Sequence, residues 1–302
     1  MTNPLLQRPA GRQGPGRMPQ GLVDELDLIV ARRSAGALPG DRRSAGLGMG
    51  TELAQLRPYE VGDDVRQIDP AATARTGVPH VRLQVPERTL TTWVALDVSP
   101  SMAFGTAERL KSDVAEGAAL VLARLAIRRA GRVALVRFGA GEPVLMRPRA
   151  SRRGLVAVRR ALEEGVAADG NPDDRALGHA LMRVGKVARQ AGLVAVISDF
   201  RDQEDWTRPL GALRERHSVV AIEVRDPREG TLPAVGHLAL VDPETGEHIE
   251  VDTSRRGLRE RFEQIEHERR EQVARDMRRL RVDHVVLSTD ADWLRELGRR
   301  LR

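Results

Sequence analysis

The stretch Thr92–Met102, TWVALDVSPSM, decides how this chain is read. Trp93–Leu96 is a short unbroken apolar run, the pattern of a strand buried on both faces of a parallel sheet. The run turns polar at once: Asp97, Ser99 and Ser101 stand at alternate positions, with Pro100 between the serines. Ligands of open α/β sheets bind just beyond the carboxyl ends of such strands. The stretch is therefore expected to carry one carboxylate and two hydroxyls to the rim of a sheet. A second apolar run, Leu193–Ile197, ends in Ser198 and Asp199 and repeats the pattern.

Outward from these two strands, apolar periodicity alternates between the helical and the extended. Glu108–Ala130, Ser151–Glu164, Ala176–Gln190, Thr207–Arg216, Ser254–Leu280 and Asp292–Leu301 read as helices. Gly131 is expected to end the first of them and Ser254 to cap the fifth. Arg132–Phe138, Ser218–Val224 and Val285–Leu287 read as strands, with Glu142–Arg147 as a hairpin partner of the first. Leu238–Val241 and His248–Val251 flank a turn and predict an appended hairpin near 236–252. Strands alternating with helices imply an α/β fold, a doubly wound and mostly parallel sheet. The expected layout is a flexible or disordered N-terminal segment over 1–50, a charged segment over 51–90 and the α/β domain over 91–302. Within the first of these, Gly21–Arg33 is a candidate amphipathic helix.

Composition narrows the chemistry. The 302 residues contain no cysteine, which excludes disulfides and thiolate zinc sites, and the seven histidines show no metal-ligand spacing. No apolar run reaches the roughly 20 residues of a membrane helix, and the N-terminus lacks a secretory hydrophobic region. The expectation is a cytoplasmic protein without membrane insertion. Of the 49 basic residues only Lys111 and Lys186 are lysines. The charge is spread along the chain and aromatics are 3%, a poor profile for nucleic-acid binding. An alternative nucleic-acid surface is the arginine-rich 254–280 helix, whose charges, such as Glu266 and Arg270, read chiefly as a solvated salt-bridged face.

The segment Arg57–Arg75, RPYEVGDDVRQIDPAATAR, is the second informative stretch. Its Arg57, Asp63, Asp64, Arg66, Asp69 and Arg75 surround Tyr59, Gly62 and Ile68. Such density suits either a salt-bridged latch, the favoured reading, or a binding face. The order Arg57-x-Tyr59-x-x-Gly62-Asp63-Asp64-x-Arg66-x-Ile68-Asp69, then Ala74-Arg75, resembles the signature of a bacterial family known as domain of unknown function number fifty-eight. In that family it precedes a strand ending in Asp-x-Ser-x-Ser-Met, as here. Pro70 and Thr73 depart from it, standing where the family carries Trp and Ser.

Asp97, Ser99, Ser101 and Asp199 in turn resemble the metal-ion-dependent adhesion site of the von Willebrand factor A fold. The resemblance implies a protein-interaction module in which an Mg²⁺ or Mn²⁺ ion takes a partner's carboxylate as its missing ligand. It also implies a role as adaptor or co-chaperone of a MoxR-type AAA+ ATPase. The family's threonine ligand is absent. Arg175 stands there, beside Asp173 and Asp174, which are candidate substitute ligands. An ion-free rim, held by Arg175–carboxylate pairs and by capping from Ser99 or Ser101, is the other reading. A metal-dependent phosphohydrolase is the catalytic alternative. Haloacid-dehalogenase-type enzymes need a carboxylate two residues after the first, and Ser99 holds that position, so a non-enzyme is expected.

Overall fold

The structure, a computed structural model, describes residues 14–16, 18–19, 21–23, 52–85, 90–105, 108–168, 176–202, 204–242 and 245–300. Asp173, Asp174 and Arg175 lie outside the described residues, as do nearly all of the expected N-terminal segment and most of the 21–33 helix. The chain divides into two compact units, Gly40–Thr89 and the remainder, Met1–Pro39 with Leu90–Arg302.

The smaller unit pairs β1 (Glu52–Pro58) with β2 (His80–Val85) antiparallel and sets α1 (Pro70–Thr76) between them in sequence. Its signature charges act as a latch within the unit. The Arg57 guanidinium forks onto both Asp63 oxygens at 2.8 and 2.7 Å, and Asp63 also accepts the Glu60 amide at 2.9 Å. That closes the turn at Gly62, whose φ of +112° glycine adopts without strain. Asp69 works twice: one oxygen caps α1 through the Ala72 amide at 2.9 Å, and the other takes Arg82 Nε at 2.7 Å. Pro70 sits at the first turn of α1, where its missing N–H costs nothing. Asp64 accepts the Arg66 amide at 3.0 Å, while the side chains of Arg66 and Arg75 are exposed. Tyr59 is half-buried.

The larger unit contains, in order, β3 (Thr91–Asp97), α2 (Lys111–Arg128), β4 (Arg132–Phe138), β5 (Val144–Ala150), α3 (Ser151–Glu163), α4 (Ala176–Val187) and β6 (Leu193–Ser198). There follow α5 (Thr207–Arg214), β7 (Ser218–Arg225), β8 (His237–Val241), β9 (His248–Asp252), α6 (Arg256–Leu280), β10 (Asp283–Ser288) and α7 (Trp293–Arg300). Six strands form one sheet in the order β10-β7-β6-β3-β4-β5, and only the edge strand β5 runs antiparallel. The β8–β9 hairpin is a separate two-stranded ladder.

All seven residues of β3 are buried because both sheet faces are covered. Val94 and Leu96 face α2 and α7, packing with Val114, Leu122, Leu125 and Trp293. Trp93 and Ala95 face the other way, into a core shared with Leu177, Leu181, Leu210, Val273 and Met277 from α4, α5 and α6. Each fully buried aliphatic of this kind contributes about 1.5–3 kcal/mol. Two caps differ from the sequence reading. The left-handed residue ending α2 is Ala130 (φ 52°), and Gly131 follows it where a Cβ would lie 2.8 Å from the Leu90 carbonyl. Arg255, not Ser254, precedes α6; the Ser254 hydroxyl donates instead to Asp252 at 2.6 Å.

Candidate functional site

Parallel pairing puts Leu96 of β3 opposite Ile197 of β6, so Asp97 and the Ser198–Asp199 pair leave the sheet side by side. Asp97 Oδ1 accepts the Ser99 amide at 2.9 Å, and Oδ2 accepts the Ser198 hydroxyl at 2.6 Å. Pro100 starts a short 3-10 turn, Pro100–Ala103, that folds Ser101 back under the rim. The Ser101 hydroxyl donates to Asp199 Oδ2 at 2.9 Å and lies 3.1 Å from Ser99 Oγ. The four residues singled out in the sequence thus meet in one hydrogen-bonded cluster. Ser99 stands at the cap position of the 3-10 turn and makes no side-chain capping bond there; the Arg175–carboxylate pairs of the ion-free reading lie outside the described residues.

A close backbone approach holds this loop. Gly139, just past β4, has φ +88°, and a Cβ there would lie 2.7 Å from both the amide nitrogen and the Cβ of Ser99. The Val98 amide donates to the Phe138 carbonyl at 2.8 Å beside it. Gly139→Ala is expected to displace the Ser99 loop and destabilise the protein by about 2 kcal/mol, from the left-handed backbone and the clash. Urea unfolding measures this, and a change below about 0.5 kcal/mol, the range of neutral surface substitutions, would contradict the packing described.

The sequence reading missed the cations. Lys111, the first residue of α2, is fully buried, and its ammonium donates to Asp199 Oδ2 at 2.6 Å and to Glu229 Oε1 at 2.5 Å. Arg201 Nε approaches the same two carboxylates at 3.9 and 3.6 Å, and Arg201 Nη2 reaches Glu266 at 3.0 Å. Glu266 is buried and also takes Arg269 and Arg270, both at 2.9 Å. It is an anchor of α6 to the rim, not part of a solvated face as its spacing to Arg270 suggested. Arg269 extends the link, its Nη1 lying 3.3 Å from the Phe200 carbonyl.

Charge is unevenly balanced across the pocket. Burial raises the Asp97 carboxyl, the neighbouring Asp199 charge adds to it, and together they outweigh the serine hydrogen bonds, pushing it up to about 7. Burial acts the same way on Asp199, but the Lys111 ammonium, then Arg201, and the hydrogen bonds from Lys111 and Ser101 prevail and hold it at about 2. Burial would strip Lys111 of its proton, yet Asp199 and Glu229 keep it charged, with its pKa above the ordinary lysine value. Asp97 makes no ion pair with the described cations.

No group of three or more His, Cys, Asp or Glu able to hold a metal occurs among the described residues. An ion here would depend on the two hydroxyls. The donor set fits one: a buried carboxylate that pairs with none of the described cations, and two serine oxygens beside it, are hard oxygen ligands of the kind Mg²⁺ and Mn²⁺ accept.

The model of a family described as "Protein of unknown function DUF58" matches residues 55–272. The chain belongs to this family. Uncharacterized protein Rv1480 of Mycobacterium tuberculosis is 36% identical over 277 residues, which span 91% of this chain and 86% of that one. Among solved structures, BatB from Bacteroides thetaiotaomicron is similar at 17% identity and TM-score 0.43, covering 70% of this chain and 97% of that one. The SpRpn10 VWA domain is similar at 12% identity and TM-score 0.33, over 45% of this chain and 75% of that domain. The family match spans the Arg57–Arg75 signature and both rim strands, and the main sheet is doubly wound and mostly parallel with one antiparallel edge strand.

Proposed function

We propose that this chain is a non-catalytic protein-interaction module that works through the rim of β3 and β6. Asp97, Ser99 and Ser101 would hold an Mg²⁺ or Mn²⁺ ion there. When bound, the ion supplies a Lewis-acidic position that a carboxylate of another protein can fill. The observation that carries the reading is the buried Asp97 carboxylate, set beside two hydroxyls and without an ion pair to the described cations. A buried carboxylate in that position is costly unless a proton or a cation joins it.

The chain's own residues orient this site. Ser198 and the Ser99 amide fix the Asp97 carboxylate, while Asp199 accepts from Ser101 and so aims its hydroxyl. The position two residues after Asp97 offers a hydroxyl where a phosphohydrolase of the haloacid dehalogenase type needs a general acid. The family resemblance points to a MoxR-type AAA+ ATPase as the partner, with this chain as its adaptor or co-chaperone.

Isothermal titration with Mg²⁺ and Mn²⁺ tests the site. The expected result is saturable heat for the wild type and none for Asp97→Ala. Equal heats near zero would leave only the ion-free rim, and turnover of a generic phosphoester abolished by Asp97→Asn would replace the module with an enzyme.

A further inference from the structure

Lysine is among the residues least often fully buried, yet one of the two lysines in this chain is buried completely, at the site itself. We infer that Lys111 is a tethered cation that keeps Asp199 out of the ligand shell of a divalent ion bound at Asp97, Ser99 and Ser101. The inference rests on the ion-dependent reading of the rim and goes beyond it by assigning Lys111 a role in setting ion affinity and partner charge.

Every oxygen of the Asp199 carboxylate is committed. Oδ2 accepts Lys111 at 2.6 Å and Ser101 at 2.9 Å, and Oδ1 accepts the Arg201 amide at 3.2 Å. The lysine cannot easily turn away, because its second acceptor is also fixed. Glu229 lies in the 3-10 turn Pro227–Gly230, and its Oε2 accepts the Asp226 amide at 3.2 Å while Oε1 holds the ammonium at 2.5 Å. A compact ammonium suits this place better than a planar guanidinium, since it bridges two carboxylates as a point charge from a flexible stem.

The pairing gives the arrangement a consequence. Among the described groups, Lys111 bridges Asp199 and Glu229, Arg201 is shared between these two and Glu266, and Asp97 is the rim carboxylate that pairs with none of them. A divalent ion at Asp97 then has one protein carboxylate as ligand and keeps an excess of positive charge for a carboxylate from a partner. Without Lys111 the ion would gain Asp199 as a second carboxylate ligand. Lys111 therefore weakens the ion's hold and reserves its open position for an anionic group.

The test is Mn²⁺ binding followed by the electron paramagnetic resonance of the free ion, in wild type, Lys111→Met and the paired variant Lys111→Met/Glu229→Gln. The pair removes one charge of each sign, keeps the pocket's net charge and so safeguards folding. Both variants are expected to bind Mn²⁺ at least about tenfold more tightly than wild type, as one further carboxylate joins the ion. Tighter binding by the pair alone, should the single variant not fold, supports the inference equally. Binding by the pair with none by wild type would uphold the tethered cation and remove the ion from the wild-type module's function. Equal affinity in wild type and pair would overturn the role of Lys111 while leaving the ion-dependent reading standing. No binding in any variant would overturn both.

Discussion

Lys111→Met is expected to lower the stability of the protein by about 3–5 kcal/mol, the cost of removing one partner from a buried ion pair. Methionine matches the lysine stem in length and fills the same volume, so the loss reports charge, not packing. Asp199 and Glu229 would remain buried without an ammonium in contact, with Arg201 at 3.9 and 3.6 Å. Thermal unfolding should shift downward by roughly 10 °C for a protein of this size. The paired variant Lys111→Met/Glu229→Gln should recover much of the loss, because only one carboxylate is then left without its ammonium. A single-variant loss below about 1 kcal/mol, the worth of an exposed salt bridge, would show that Lys111 is not the buried counter-ion described.

Asp97→Asn is expected to do the opposite in the absence of divalent ions. The Asp97 carboxyl is raised from the ordinary 3.8 to about 7 in the folded state. A raised folded value means that its contribution is fully present below pH about 4 and is lost as pH climbs through about 7. Above that, the ion-free wild type carries a buried anion that the Asp97→Asn variant does not. In chelator at pH 8 the variant should therefore be more stable by on the order of 4 kcal/mol, with the difference closing by pH 4. Asp199 acts in a separate window. Held at about 2, its contribution is present above pH about 4 and lost as pH falls through about 2, in both proteins. Adding Mg²⁺ at about 100 times its dissociation constant should raise wild-type stability by about 2.7 kcal/mol and leave the Asp97→Asn variant unchanged. Stability curves of both proteins from pH 4 to 8, with and without Mg²⁺, measure this. A wild type that gains stability between pH 5 and 8 in chelator would contradict it.

The main sheet was legible because its strands are short and uniformly apolar. Trp93–Leu96 and Leu193–Ile197 could hardly sit anywhere but between two helical layers, and the polar residues after each had to meet once the strands paired. Asp97 and Asp199 followed from that placement. Lys111, Arg201 and Glu229 did not, because they follow no strand-end pattern. They arrive from a helix start, a loop and a 3-10 turn, whose meeting is set by tertiary packing alone. One signal did exist: a chain with 47 arginines keeps lysine at just two places, and position 111 is one of them. Glu266 misled for a related reason. Its spacing to Arg270 is that of a surface pair, and only the approach of Arg201 makes it a buried anchor. In the smaller unit the latch was readable from charge density, but the double duty of Asp69 needed Arg82, which lies past the signature.

The most direct measurement is anomalous diffraction from crystals grown with Mn²⁺. A peak within about 2.5 Å of an Asp97 carboxylate oxygen and of Ser99 and Ser101 Oγ, the span of hard-cation–oxygen bonds, with the Lys111 ammonium still seated on Asp199, is the result expected. A rim with no peak at saturating Mn²⁺, or a peak liganded by Asp199 with Lys111 turned away, would contradict the account.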